Sequence, residues 1–317
     1  MAPAARKPIH KGKSLAQRKA ARKGISLRGL GISPATEARY NSALGVLMPT
    51  LETANAIEEL DPLCEEFVEC QWIKGTPLGL IGDALCGLQH YWPQVKGQLR
   101  GPWKLYRNWR RIEVPQRAPP LPRVIALALI GLFLEWEEPQ MAFLIGLGFH
   151  TFLRTGEMLN LVNKDVKLEK GAPGAVTVRK SKTGLRFNID EAVAIYDVEL
   201  YQLWELCHLP SKRPPSAQIW DRSAAQFRSL YYKGLEALKL GNHKFQPYSI
   251  RRGGATHAFV TQQTMEAILL RGRWRSLTVA RLYLEDGQSQ LAQLALTAKA
   301  KSLLATYGRG LPTRLLP

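Results

Sequence analysis

Between Pro34 and Ile112 the apolar residues recur at helical spacing. Tyr40, Leu44 and Leu47 form one stripe, Leu63, Phe67 and Val68 a second, and Leu78, Ile81, Leu85 and Leu88 a third. Steps of three and four in the first and third sets, and of four and five from Leu63 in the second, put each set on one side of a helix. The stretch GPWKLYRNWRRIEV, residues 101–114, continues the pattern. On a helix, Leu105, Trp109 and Ile112 face one way, while Lys104, Arg107, Arg110 and Arg111 largely face another. Ser33-Pro34 marks the start of this region, because serine caps helices well and proline suits the first helical position.

The pattern then changes. VPQRAPPLP, residues 114–122, holds four prolines and predicts an extended linker. Two apolar runs follow, Val124–Leu134 and Met141–Leu153. Both fall short of the ~20 residues that span a bilayer, so they predict buried helices. AVTVRKSKTGLRFNI, residues 175–189, alternates around a central Lys-Thr-Gly and predicts a β-hairpin. From about Asp190 onward the chain is expected to be helical. It ends on an amphipathic helix over residues 290–307 that carries Leu291, Leu294, Leu303 and Leu304. The expected organisation is a basic flexible arm (1–32), a helical domain (33–112), a linker (113–122), a second domain (123–290) and a C-terminal helix (291–317) available for subunit contact. The fold class is mainly α with a small β-hairpin.

Charge narrows the partner. Lysine and arginine outnumber the acids to give a net charge of +18, and the pI is about 9.9. Self-repulsion of this size points to a polyanion: DNA, RNA or an anionic membrane surface. The first 30 residues carry many of these cations, and no acid precedes Glu37. Such an arm suits DNA phosphates, nuclear import or organellar targeting. Cys64, Cys70, Cys86 and Cys207 form no CxxC and no zinc spacing with histidine, which implies reduced thiols and no structural metal.

Candidate chemistry centres on YSIRRGGATH, residues 248–257. Two adjacent arginines stand at the mouth of what the Gly-Gly pair suggests is a turn or a helix start. A guanidinium fork matches phosphate oxygens bidentately. On a helix, neighbours point about 100° apart, so Arg251 and Arg252 cannot both reach one phosphate.

These residues complete a wider resemblance. FLIGLGFHTFLRTGEMLNLVNKDV, residues 143–166, resembles the first arginine box of the tyrosine recombinase (phage-integrase-like) family, with Arg154, Glu157, Leu161 and Asp165 at its marked places. RKSKTG puts Lys182 at the place of the family's hairpin lysine. PYSIRRGGAT resembles the His-x-x-Arg box, with Arg251 as its arginine. GRWRSLTVARLY resembles the final box, in which Trp274 precedes Tyr283 by nine residues. The resemblance runs from about residue 124 to 290. The helical domain before it matches only in size, order and basicity. Two positions depart from the family: Phe152 stands where glycine is usual, and Tyr248 replaces the histidine. His243 lies five residues upstream of Tyr248 and reads as a loop residue.

The resemblance implies a two-domain DNA clamp with an N-terminal core-binding bundle and a C-terminal catalytic domain. It implies Tyr283 as nucleophile, with Arg154 and Arg251 on the phosphate. Lys182 would protonate the leaving 5′ oxygen, Trp274 would donate its indole N–H, and Tyr248 would assist. From the residues themselves, the basic face of Lys104, Arg107, Arg110 and Arg111 either lies on a phosphate backbone or is the solvated side of a core helix; these four and Arg252 are the DNA-contact candidates. Neither a cofactor nor a metal is implied, since a phosphotyrosyl bond conserves the energy of the bond it replaces. Double-stranded DNA and a tetramer assembled on it are the implied partners, in the soluble, DNA-containing compartment and away from membranes. A recombinase or integrase of a mobile element is the leading reading. An inactive DNA-binding derivative and a type IB topoisomerase-like enzyme are the alternatives.

Overall fold

A computed structural model describes residues 14–23, 31–113, 117–179, 190–196, 198–208 and 214–309. The chain divides into two compact units, residues 1–116 and 117–317. Part of the basic N-terminal stretch is helical where a flexible arm was expected. Leu15–Arg22 forms α1, started by a reciprocal cap between Ser14 and Gln17 and built from good helix formers.

Residues 34–112 form a bundle of α2 (Pro34–Leu51), α3 (Leu60–Ile73), α4 (Leu78–Tyr91) and α5 (Arg100–Ile112). The Ser33 hydroxyl accepts the Thr36 N–H at 3.2 Å, with Pro34 opening the helix. Leu44 and Leu47 meet Phe67, Val68, Ile81, Leu85, Leu88 and Trp109 in one core. Lys104, Arg107, Arg110 and Arg111 lie on the exposed face of α5. Ile112 departs from its predicted stripe: at the last position of α5 it is 69% exposed.

The second unit is built on α6 (Arg123–Glu135) and α7 (Pro139–Thr151), the two apolar runs, which are buried against each other. The Pro-rich stretch is no free spacer at its far end. Pro120, Leu121 and Pro122 are buried, and the Leu121 N–H donates to the Ser249 carbonyl at 3.0 Å. After a short helix, α8 (Thr155–Leu159), come β1 (Val166–Glu169), β2 (Ala172–Val178) and β3 (Glu191–Ile195). They form an antiparallel sheet in that order, with Val176 paired to both Val166 and Val193. Strand β3 corrects the expectation of helix from Asp190. In EAVAI, Val193 and Ile195 are buried while Ala192 and Ala194 are exposed, the period of a half-buried strand. The predicted hairpin tip, with Lys182, lies outside the described residues.

Among the described residues the remaining α-helices are α9 (Val198–His208), α10 (Ala224–Ala237), α11 (Pro247–Val260), α12 (Met265–Gly272), α13 (Leu277–Arg281), α14 (Asp286–Leu294) and α15 (Ala298–Arg309). The expected single helix over 290–307 is therefore two. Helix α15 packs on α6 of its own chain, burying Ala300 and Leu304 in the core together with Leu296 from the connection before it. A Cβ on Gly131 would stand 2.1 Å from the Tyr307 carbonyl oxygen, so the two helices approach too closely for any other residue. Leu291 and Leu294 remain exposed. Among the described residues no helix is long and apolar enough to cross a membrane.

Candidate active site

Gly253 and Gly254 form neither a turn nor a helix start; they sit within α11. A Cβ on Gly253 would lie 2.0 Å from the Leu121 carbonyl oxygen, and one on Gly254 would lie 1.8 Å from that of Phe149. The glycines let α11 press between the Leu121 segment and the end of α7. The arginines just before them are thereby driven into the interior.

Arg251 is fully buried. Its Nη1 donates to the Phe152 carbonyl and its Nη2 to the Gly272 carbonyl at 2.7 Å. Phe152 ends α7 in the left-handed conformation, φ 51°, which turns that carbonyl toward the guanidinium. The Nε has no hydrogen-bond partner among the described residues. The guanidinium carbon stands 4.9 Å from the Trp274 ring centre and 5.2 Å from that of Tyr283. Burial, then the charges of Arg154 and Arg273, bring the Arg251 pKa down to about 10.

Arg252 corrects an expectation. It was expected on DNA, yet it is 2% exposed, paired to Glu285 and donating to the Leu282 carbonyl at 3.1 Å. It anchors the segment that carries Tyr283. Thr256 helps, its hydroxyl donating to the Tyr283 carbonyl at 3.0 Å and accepting the Glu285 N–H at 3.3 Å. Tyr283 itself follows α13 by two residues and sits in a turn, not on the helix.

The Tyr248 hydroxyl lies 2.7 Å from that of Tyr283. Tyr248 is the weaker acid of the two. Burial, then its bond to Tyr283, push its pKa up to about 12. Once Tyr283 loses its proton, the Tyr248 hydroxyl is the donor in this bond. Burial also raises the Tyr283 pKa, but the bond from Tyr248, the Arg251 charge, the Trp274 indole and the Arg154 charge together outweigh it. Tyr283 ends below the ordinary tyrosine value. Trp274 packs on Tyr283 with ring centres 4.5 Å apart and is backed by Phe152 at 6.1 Å. Among the described residues its buried indole N–H reaches no acceptor at hydrogen-bond geometry, although it is near enough to favour the phenolate.

Arg154 caps α8 and is 30% exposed, the most open guanidinium of the group. Its Nη1 meets Glu157 at 2.7 Å and its own N–H meets the same carboxylate at 2.8 Å. Burial works against its charge, but Glu157 outweighs burial and holds its pKa above the usual arginine value. Three separate stretches of sequence thus converge on one place: Arg154, the Tyr248–Arg251 turn of α11, and Trp274 with Tyr283. Lys182 lies outside the described residues. Lys104, Arg107, Arg110 and Arg111 belong to the other unit. His243 stacks on Phe245 with ring centres 5.9 Å apart and takes no part in this cluster. Sequence reasoning missed Arg273, which is buried on Glu157 and Glu191. Its signal was an arginine directly before the singled-out Trp274.

With this geometry in hand, solved structures provide the comparison. The Tn1549 transposon integrase, in complex with transposon right end DNA, matches 88% of this chain and 98% of its own, at TM-score 0.61 and 11% identity. The chain has the tyrosine-recombinase fold. XerH site-specific recombinase, bound to a palindromic difH substrate, matches 87% of this chain and 81% of its own, at TM-score 0.59 and 14% identity. A lambda integrase dimer bound to a COC′ core site matches 86% and 95%, at TM-score 0.58 and 15% identity. No protein-family model and no curated protein sequence matches. The tyrosine-recombinase fold covers both units: the helical bundle and the mainly helical unit with its three-stranded sheet.

Proposed function

We propose that this chain is a site-specific DNA recombinase or integrase that cuts a strand with Tyr283 and carries it as a 3′-phosphotyrosyl bond. The observation that carries this reading is the Tyr283 phenol. It receives a hydrogen bond at 2.7 Å, lies beside the Arg251 guanidinium and has a pKa below the ordinary tyrosine value. A tyrosine is a poor nucleophile at its free pKa of ~10, and surrounding donors ease loss of its proton.

In the reaction Tyr283 releases its phenolic proton to solvent, its oxygen bonds to phosphorus, and the bond from phosphorus to the 5′ oxygen breaks. Arg154, open to solvent, and the unpartnered Arg251 Nε would face the non-bridging oxygens. The unpartnered indole N–H of Trp274 is a third donor. Preorganised donors of this kind stabilise charge as it develops. Tyr248 donates to the attacking oxygen; it does not replace histidine as a base, because its own pKa is near 12. Lys182 gives the departing 5′ oxygen its proton. Among the described residues the guanidiniums of Arg154, Arg251 and Arg273 exceed the carboxylates of Glu157 and Glu191 by one positive charge, which favours an anion there.

Double-stranded DNA is the partner, gripped by both units as a clamp, with Lys104, Arg107, Arg110 and Arg111 on its backbone. The protein is monomeric alone and tetrameric on paired sites, and the exposed Leu291 and Leu294 serve the subunit contact. A nicked duplex that loses its short 5′ fragment on cleavage traps the adduct for mass spectrometry. Tyr283 is expected to carry the DNA, and Tyr283→Phe should bind DNA and form no adduct. DNA found on Tyr231, Tyr232 or Tyr307, or an adduct persisting in Tyr283→Phe, overturns the assignment. Relaxation of supercoiled plasmid without any specific site would instead favour a topoisomerase.

A further inference from the structure

Arg273 is an arginine in an unfavourable place. It ends α12 in the left-handed conformation, φ 55°, where a side chain crowds its own backbone and glycine is the usual choice. Its side chain is 5% exposed. Burial depresses its pKa, and the Glu157 and Glu191 carboxylates only partly restore it. A strained backbone and a desolvated charge both cost stability, so something must require this side chain.

Its partners indicate what. Nη2 donates to Oε2 of Glu157, and Nε stands 3.3 Å from Oε2 of Glu191. Glu157 is the carboxylate that holds Arg154 through both its backbone N–H and its Nη1. Arg273 thus takes one oxygen of Glu157 while the Arg154 guanidinium takes the other. Glu191 opens β3, directly after the stretch that contains Lys182. The next residue after Arg273 is Trp274, which packs on Tyr283.

We propose that Arg273 is a positioning residue. Resting on the recombinase reading above, it locks the Glu157 carboxylate and so fixes the direction in which Arg154 presents its guanidinium to the phosphate. The same fork joins the arginine box to the start of β3 and to the Trp274–Tyr283 segment. Without Arg273, Glu157 is held by Arg154 alone and is free to turn with it, while Glu191 loses its buried counter-charge.

The test is a double-mutant cycle on cleavage, using a nicked duplex selected from random-sequence DNA by the unaltered protein. Arg273→Gly removes the fork and suits the left-handed backbone. Arg273→Lys keeps the charge and loses the fork, and it stands in if the glycine variant does not melt cooperatively. Either variant is expected to cleave on the order of 10–100-fold more slowly, with DNA affinity changed less than about threefold. Combined with Arg154→Ala, it should add little to the loss from Arg154→Ala alone. Both losses should shrink together on a methylphosphonate duplex, which lacks the charged oxygen that Arg154 meets. A merely structural Arg273 would slow cleavage equally on both duplexes and add its full effect to Arg154→Ala; either result overturns the proposal. If the unaltered protein forms no adduct on any selected duplex, the recombinase reading fails, and this proposal fails with it.

Discussion

Removing one oxygen from Tyr248 is the sharpest probe of the cluster. Tyr248→Phe keeps the ring that packs at the start of α11 and deletes the donor 2.7 Å from the Tyr283 oxygen. A hydrogen bond to an ionised acceptor is worth about 1.5–3 kcal/mol. At ~1.4 kcal/mol per factor of ten, the variant should cleave roughly 10–150-fold more slowly near neutral pH. The sign for pH follows from the same bond. Tyr248 is among the groups that hold the Tyr283 pKa below its ordinary value, and burial acts in the opposite direction. Deleting the donor therefore raises the Tyr283 pKa, and the alkaline rise in rate moves to higher pH. Single-turnover cleavage of the nicked duplex, followed from about pH 6 to pH 10, measures both effects. DNA affinity should stay within about twofold, since the bond lies between two protein side chains. A variant that cleaves within twofold of the parent across this range, with an unmoved alkaline midpoint, would refute the donor role.

Arg251→Ala should lower the cleavage rate by about 10²–10³-fold, the usual loss for one preorganised donor, as read by adduct formation. Arg252→Ala should instead act on folding. It leaves Glu285 and the Leu282 carbonyl without their donor, and denaturant melts should show a loss of about 2–3 kcal/mol. Gly254→Ala brings a Cβ to 1.8 Å from the Phe149 carbonyl oxygen, so α11 must shift; a stability loss above ~3 kcal/mol is expected by thermal melting. Replacing Lys104, Arg107, Arg110 and Arg111 together by alanine should flatten the salt dependence of DNA binding. The slope should fall by about 0.9 for each DNA phosphate that is no longer neutralised, in titrations at several salt concentrations, while the melting of the first unit stays unchanged.

Much of this protein is decided locally and could be seen along the chain. The stripes of α2, α3 and α4, the cap at Ser33 and the apolar runs of α6 and α7 depend on side-chain period and capping, which are properties of neighbouring residues. Arg154, Arg251, Trp274 and Tyr283 stood out through the resemblance of their surrounding boxes to a known family, and the fold brings them together. What the chain could not show is where each polar group spends its donors. Arg251 and Arg252 are adjacent and alike in sequence, yet one lies against Tyr283 and the other is paired to Glu285. The partners come from segments about thirty residues away, so only the packed fold assigns them. The Gly-Gly pair looked like a turn because glycine permits one. In the fold it serves a close approach to Leu121 and Phe149, carbonyls contributed by distant stretches of chain. Strand β3 was too short to stand out from a helix until β2 supplied its hydrogen bonds. Arg273 carried no periodic signal, since its place follows from two carboxylates, the buried Glu157 and the partly buried Glu191, that lie 116 and 82 positions earlier in the chain. Period and capping act between near neighbours and can be read in order; burial and charge pairing act through space, and exist only once the chain has folded.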